Sequence, residues 1–123
     1  MQSFITRTIA MLAILGLSSV AFADSYVEVW TCEMEDEKTI EDVQAANSKW
    51  LAYVRENVSE DIASSVVTSV VGDSDTFVFV DTYPDLDTWA KTKTRLQDGD
   101  TEEIFEGVTD CSENTLHRVQ ATE

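Results

Sequence analysis

The alternation of hydrophobic and polar positions predicts a first strand at residues 25–34. This segment is rich in β-branched and aromatic side chains, and its apolar positions recur with a period of two. Apolar residues fall on both sides of it, with Val27 and Val29 on one side and Tyr26, Trp30 and Cys32 on the other. We therefore expect both faces of this strand to be covered.

A long helix is predicted after the charged turn at residues 35–38. Thr39 is followed three residues later by Asp42, which is the pattern of a capping box at a helix N-terminus. Mostly apolar side chains then recur at helical spacing, which predicts an amphipathic helix ending near Asn57. This stripe consists of Ile40, Val43, Ala46, Asn47, Trp50, Leu51, Val54 and Val58.

Two further strands are predicted at residues 64–71 and 76–83, joined by a hairpin loop at 72–75. The second of these strands is apolar on both sides. It carries Phe77 and Phe79 on one side and Val78 and Val80 on the other. We therefore place this strand in the centre of a sheet.

The last third of the chain predicts two helices and a strand. Pro84 ends the preceding strand, and Asp85 is placed to cap a second helix. Residues 98–100 end this helix, and a short helix at 101–107 and a modest strand at 114–120 follow. The apolar positions of the second helix are Leu86, Trp89, Ala90 and Leu96.

The element order predicts an α+β fold with a ferredoxin-like βαββαβ topology. Right-handed crossovers and one hairpin give an antiparallel sheet in the strand order 4-1-3-2, with the helices on one face. Strands one and three are then central, in agreement with their two apolar faces. Strand four runs antiparallel to strand one, which brings Cys111 beside Cys32.

The first 23 residues have the three parts of a cleavable secretory signal. Arg7 supplies positive charge, residues 9–20 form a short apolar core, and Ala21 and Ala23 fit a small-residue cleavage site. This core is shorter than the about 20 residues that a membrane-spanning helix needs. We expect an exported protein, periplasmic or secreted, with a single domain at 24–123. In such an oxidising compartment a disulfide between Cys32 and Cys111 is favoured.

The chain is strongly acidic, with 24 acidic and 8 basic residues and a formal net charge of −16. Loss of the signal segment removes one arginine and no acid, so the mature charge becomes −17. Nucleic acid and anionic membranes are polyanions, and we exclude both as partners of the mature domain. The acidity fits a salty exterior or simply serves solubility.

The pattern of strands and helix starts resembles the dimeric α+β barrel superfamily, which includes the antibiotic-biosynthesis monooxygenase and NIPSNAP-like families. The segments YVEVWTC and FVFVDTYPDLDTW carry most of this resemblance, which spans residues 25–120 and concerns the fold. It implies a homodimer in which two protomers pack sheet against sheet. The interface then contains either Val27, Val29, Val78 and Val80 or their neighbours Trp30, Phe77 and Phe79.

Asn47 is the polar residue that most disturbs an apolar helix face. It is either bonded to a nearby backbone group or a hydrogen-bonding group in a pocket between the first helix and the sheet. The large aromatic residues are either core or the lining of that pocket. The candidate ligand-binding residues are Asn47, Trp50, Trp30, Trp89 and Tyr83. Lys93 lies on the apolar stripe of the second helix, where we expect its ammonium group to reach water.

Signatures of metal or cofactor chemistry are not found in the sequence. The acid-rich segments at 33–37 and 98–103 do not follow the calcium-loop pattern, and two cysteines with one histidine do not make a zinc site. Haem-degrading members of the superfamily use an asparagine, a tryptophan and a histidine. Here the first strand has no asparagine and the second helix has no histidine, while the single histidine, His117, lies on an exposed strand. We expect no metal and no cofactor.

Three hypotheses for function remain open. The first is an exported homodimer that binds a small apolar molecule in a helix–sheet cavity. The second is a cofactor-independent enzyme of the monooxygenase or isomerase type, as the resemblance implies. The third is a structural or interaction protein without a pocket. An open cavity beside Asn47 separates the first two from the third.

We predict that the exported protein begins at Asp24, because Ala21 and Ala23 fit the positions that a signal peptidase reads. N-terminal sequencing of protein recovered from the periplasm or medium measures this directly. Recovery of exported protein that still begins at Met1 contradicts the prediction.

Overall fold

A computed structural model describes residues 24–73, 75–97, 99 and 101–123, so the predicted export signal lies outside the described residues. The predicted order of strands and helices is confirmed. The elements are β1 (Ser25–Met34), α1 (Ile40–Asn57), β2 (Ala63–Thr68), β3 (Thr76–Tyr83), α2 (Leu86–Gln97), α3 (Glu102–Phe105) and β4 (Thr109–Val119). None of the described helices has the length and apolar character needed to cross a membrane.

The strands form one antiparallel sheet in the order β2-β3-β1-β4, which confirms the predicted topology and its ferredoxin-like class. β1 and β3 are central, as their two apolar faces predicted. Residues of β1 pair with β3 from Tyr26 opposite Tyr83 to Glu33 opposite Thr76. On its other edge, β1 pairs with β4 along nearly its whole length.

Two strand ends differ from their predicted positions. β2 ends at Thr68, and the two valines that follow, Val70 and Val71, are 98% and 92% exposed. β4 begins at Thr109, five residues earlier than expected, because its polar first half is held by pairing with β1. Hydrophobic alternation does not predict the end of β2, because Val70 and Val71 continue the apolar pattern although they are exposed. It does not predict the start of β4 either, because residues 109–114 carry no alternating apolar pattern.

The N-terminus of α1 has the predicted capping box. The backbone amide of Thr39 donates to Asp42 Oδ2 at 2.9 Å, and the amide of Asp42 donates back to Thr39 Oγ1 at 3.4 Å. The Thr39 amide and the Thr39 hydroxyl, which also donates to Asp42 Oδ2 at 3.2 Å, hold the pKa of Asp42 below its usual value. The inward side of the helix buries Val43, Ala46, Asn47, Trp50 and Val54.

The helices cover one face of the sheet, and no layer of the described residues covers the other. On the covered side Phe77 and Phe79 are buried and Tyr83 is fully enclosed. Strand alternation therefore places the valines on the uncovered side, which we call the open face, and each of them is half-buried. The open face of the central strands contains Val27, Val29, Val78 and Val80.

The core under the helices consists of two apolar clusters at opposite ends of the strands. One is built on Cys32, Val43, Phe77 and Phe79, and the other on Trp50, Val54, Ile62 and Tyr83. Phe105 of α3 packs against both clusters. Between the two clusters, the covered positions of the central strands are Glu28 and Asp81, which are both buried.

The predicted disulfide is present in the structure and joins Cys32 of β1 to Cys111 of β4. The two residues are directly paired in the sheet and 79 positions apart in sequence. A loop of this length corresponds to about 4 kcal/mol of stabilisation in the chain-entropy account of disulfides. The bond fixes β4, whose side chains beyond Thr109 are exposed, to the centre of the sheet.

Candidate functional site

A line of polar side chains crosses the covered face of the sheet between the two apolar clusters. Asn47 of α1, Ser64 of β2, Asp81 of β3 and Glu28 of β1 form this line, which we call the polar row. Ser64 pairs with Asp81 across β2 and β3, and Glu28 pairs with Asp81 across β1 and β3. Alternation places both acids on the covered side, because each lies between two residues of the open face.

At one end of the polar row the hydrogen bonds have a defined direction. The Asn47 Nδ2 group donates to Ser64 Oγ at 2.9 Å, and the Ser64 hydroxyl donates to Asp81 Oδ1 at 2.6 Å. A hydroxyl has one proton to give, so the short contact with the carboxylate takes it and Ser64 accepts from Asn47. Asn47 is thus bonded to a side chain that links it to the central acid, and not to backbone.

At the other end of the polar row, Glu28 is completely buried and has two partners on α2. Trp89 Nε1 donates to Glu28 Oε2 at 3.2 Å, and the Lys93 ammonium pairs with Oε1. The Lys93 ammonium, which was expected to reach water, thus pairs with a buried acid, while its side chain stays 23% exposed. The buried carboxylate draws the ammonium inward, where it also lies 4.9 Å from the centre of the Trp30 ring.

Asp81 occupies the middle of the polar row and is 4% exposed. Its removal from water raises its pKa to about 6, and the nearby charge of Glu28 adds to this; the Ser64 hydrogen bond and Lys93 act in the opposite direction. A carboxyl group with this pKa exchanges its proton close to neutral pH. It can therefore accept or return a proton under ordinary conditions.

Tyr83 lies next to these acids on β3 and is fully buried. Burial raises the pKa of its hydroxyl above the usual range, and the charges of Asp81 and Glu28 raise it further. Among the described residues this hydroxyl finds no partner with hydrogen-bond geometry. Tyr83 is therefore a neutral side chain whose hydroxyl lies beside Glu28, and this contact also raises its pKa.

A cavity of about 180 Å³ lies between the helices and the covered face of the sheet. Its apolar walls are Trp30, Trp50, Phe79, Leu96 and Phe105, and its polar lining includes Asn47, Asp81 and Lys93. Thr109 and the disulfide at Cys111 close the side next to β4. An engineered protein cavity of about 150 Å³ accepts benzene, so this space is large enough for a small aromatic molecule.

The candidate residues from the sequence fall into two groups. Asn47, Trp30 and Trp50 line the cavity. Trp89 instead donates to Glu28, and Tyr83 packs in the cluster that contains Trp50. The ligand-binding roles of all five stay predictions.

Sequence reasoning missed Glu28, Ser64 and Asp81. The signal for the two acids was present, since each lies at a position that alternation assigns to the covered side of a central strand. His117 lies on exposed β4 opposite Val27, on the side of the open face, and bonds Thr115 at 2.8 Å. It is therefore not part of the polar row.

Within the described ranges, no three histidine, cysteine or acidic side chains come together in a way that could hold a metal ion. The Glu28 and Asp81 carboxyl groups accept hydrogen bonds from Trp89, Lys93 and Ser64. The site can therefore form hydrogen bonds, and Asp81 can exchange a proton, inside a largely aromatic cavity.

No protein-family model and no curated protein matches the chain, whereas solved structures do. SnoaB from Streptomyces nogalater, described as a cofactor-independent oxygenase, superimposes with a TM-score of 0.60 at 10% identity, over 81% of this chain and 97% of that one. A NIPSNAP family protein of unknown function from Agrobacterium tumefaciens gives 0.57 at 13% identity, over 80% and 91%. The predicted resemblance is confirmed at the level of the fold, which this chain shares with these proteins.

A NIPSNAP-like domain protein from Burkholderia xenovorans has the same arrangement, with a TM-score of 0.51 at 11% identity over 80% of this chain and 85% of that one. Identities this low establish a shared fold. Function must be argued from the site itself.

Asp81→Asn is expected to stabilise the protein at high pH. The pKa of Asp81 is higher in the folded protein than in the unfolded chain, so the folded state holds the extra proton between about pH 4 and 6 and loses stability as pH rises through this window. Asparagine cannot ionise and still accepts from Ser64. The free energy of unfolding at pH 8 should rise by up to about 3 kcal/mol and change little at pH 3.5. Urea unfolding across this range measures it.

Asp85→Asn is the matched control. This exposed carboxylate caps α2 by accepting from the Thr88 amide at 2.7 Å, and that bond lowers its pKa. Its contribution is present above the unfolded pKa and is lost as pH falls, so this variant should be less stable than the wild type at pH 8. An Asp81→Asn protein that is no more stable than the wild type at pH 8 contradicts the prediction.

Proposed function

We propose that the chain binds a small, largely apolar molecule with one polar group in the cavity beside Asn47. The observation that carries this proposal is open space of about 180 Å³ with aromatic walls, into which Asn47, Asp81 and Lys93 also reach. Protein interiors are normally packed with few voids larger than a water molecule. A protein with a purely structural core has no use for such a space, which disfavours the third hypothesis.

The polar row supports the same proposal because its buried charged groups lower the stability of the fold. A buried acid with a raised pKa lowers the stability of the fold at neutral pH, and the Glu28–Lys93 pair is weak support for stability because both ions leave water. An apolar core at these positions would be more stable. Groups that cost stability and border a cavity are typical of binding and catalytic sites.

A cofactor-independent enzyme is the second candidate, and Asp81 is the observation that favours it. A carboxyl group with a pKa of about 6 in an aromatic cavity is suited to accept a proton from a bound molecule. SnoaB, which shares the fold, is described as a cofactor-independent oxygenase. Chemical turnover of the bound molecule distinguishes this candidate from simple binding.

We also propose that the domain works outside the cytoplasm as a homodimer. Residues 1–23 have the sequence of an export signal, and the Cys32–Cys111 disulfide suits an oxidising compartment. The open face, with its half-buried valines on the central strands, supports pairing of two copies sheet to sheet. The second protomer would supply the layer that the helices of one chain do not.

Binding in the cavity is expected to give a saturable signal from its own walls, because Trp30 and Trp50 line it. Tryptophan fluorescence and calorimetry with benzyl alcohol as the probe measure the dissociation constant. Leu96→Phe fills part of the cavity and should weaken binding at least about tenfold, since the larger side chain occupies volume that the ligand needs. Leu86→Phe, on the same helix but 44% exposed, is the matched control. Equal affinity in the two variants contradicts the prediction.

Dimerisation through the open face is expected to depend on Val78. Val78→Asp places a charge on the open face and should give a folded monomer, whereas Phe79→Asp places a charge in the buried cluster and should damage folding. Light scattering measures the oligomeric state and circular dichroism the fold. A wild-type protein that is monomeric at micromolar concentration, or a dimeric Val78→Asp protein, is incompatible with this interface.

A further inference from the structure

We propose that the cavity selects a small primary amine with an aromatic or branched apolar body, and that the ammonium group of this ligand lies against Asp81. This inference rests on the proposed function, since it assumes that the cavity binds a small molecule. It adds the charge of the ligand, which the aromatic walls alone leave open.

The polar row carries more acidic than basic groups. It contains two buried carboxylates, Glu28 and Asp81, directly opposite each other on the central strands. One cation accompanies them, and Lys93 is bonded to Glu28, which Trp89 also contacts. Among the described residues the Asp81 side chain accepts one hydrogen bond, from Ser64, and has no cation of its own. The row therefore has an uncompensated carboxylate beside the cavity.

The groups that face Asp81 come from four packed elements and from β3 itself. β1 contributes Glu28, α2 contributes Lys93, and β3 itself contributes the neutral Tyr83. α1 and β2 contribute no charge, because their nearby groups are Asn47 and Ser64. A buried carboxylate with these neighbours is stabilised most by a second positive charge. The chain itself does not provide that charge among these groups.

The aromatic lining of the cavity also favours a cationic ligand. Trp30, Trp50, Phe79 and Phe105 line the cavity, and the Phe79 and Phe105 rings lie edge to face with their centres 5.4 Å apart. Ring faces attract cations, and Lys93 already lies 4.9 Å from the centre of Trp30. The same walls that accept an apolar body therefore also accept an ammonium group. An anionic ligand would instead meet Asp81 and aromatic faces that repel it, and the Lys93 ammonium in the lining is already paired with Glu28.

The long-range electrostatic field of the protein acts in the same direction. A formal net charge of −16 attracts cations from solution and repels anions before any contact is made. This attraction is not specific for the cavity, so the experiment must separate the two. Salt at 0.15 M screens exposed charges over about 8 Å, whereas a contact inside the cavity is screened much less.

The experiment compares three ligands of nearly equal size by calorimetry at pH 7.5 in 0.15 M salt. Benzylamine is cationic, benzyl alcohol is neutral and benzoate is anionic. We expect benzylamine to bind at least about tenfold tighter than benzyl alcohol, and benzoate to bind more weakly than either. At pH 5 Asp81 is mostly protonated, so the affinity for benzylamine should fall about tenfold while that for benzyl alcohol changes little.

Asp81→Asn should remove the preference for benzylamine, so that the ratio of the benzylamine affinity to the benzyl alcohol affinity falls to about one. Asp87→Asn is the matched control, because it removes the same charge from an exposed position on α2 where Asp87 pairs with Lys91. It should leave all three affinities unchanged. If the Asp81 variant does not fold, the loss of preference at pH 5 in the wild-type protein decides the matter alone.

The outcomes separate the two proposals. Benzyl alcohol that binds as tightly as benzylamine, or a preference that survives both pH 5 and Asp81→Asn, overturns the amine inference and leaves the proposed binding function intact. Tighter binding of benzoate does the same. No saturable binding of any of the three to the wild-type protein overturns the proposed function and the amine inference with it.

Discussion

Two acids buried opposite each other in the centre of the sheet are the constraint around which the interior is arranged. Glu28 and Asp81 are neighbours across β1 and β3, and neither reaches bulk water. Two adjacent buried carboxylates cannot both stay ionised without help. The chain gives Glu28 a lysine and an indole from α2, and it gives Asp81 a single hydroxyl. Glu28 is therefore held in place by its partners, whereas the Asp81 carboxyl group has a single donor and borders the cavity.

The apolar core and the cavity follow from this arrangement. The polar row crosses the strands, so the apolar side chains separate into one cluster on each side of it. α2 is tied to the row by Trp89 and Lys93, while α3 reaches both clusters through Phe105. The space left between these contacts is the cavity, with a polar edge at Asp81 and aromatic walls elsewhere.

The fold was predictable from the sequence because its signals are local. The alternation in β1 and β3, the capping box at Thr39 and the short hairpin each lie within a few residues, and topology then brought Cys32 to Cys111. The start of β4 was not predictable, since pairing with β1 determines it. The polar row was missed for a similar reason. An acid between two open-face residues has an ordinary strand pattern, and only cross-strand register reveals that two such acids meet.

The disulfide changes the connectivity of the domain as well as its stability. Cys32 and Cys111 lie near the two ends of the described chain, and their bond closes most of the domain into a covalent ring. The segment between β2 and β3, where Val70 and Val71 are almost fully exposed, is the part of that ring most open to solvent. A single cut there would open the ring without separating any strand from the sheet. Residues 32–111 thus form a covalent ring, and the rest of the described chain extends from it at the two cysteines.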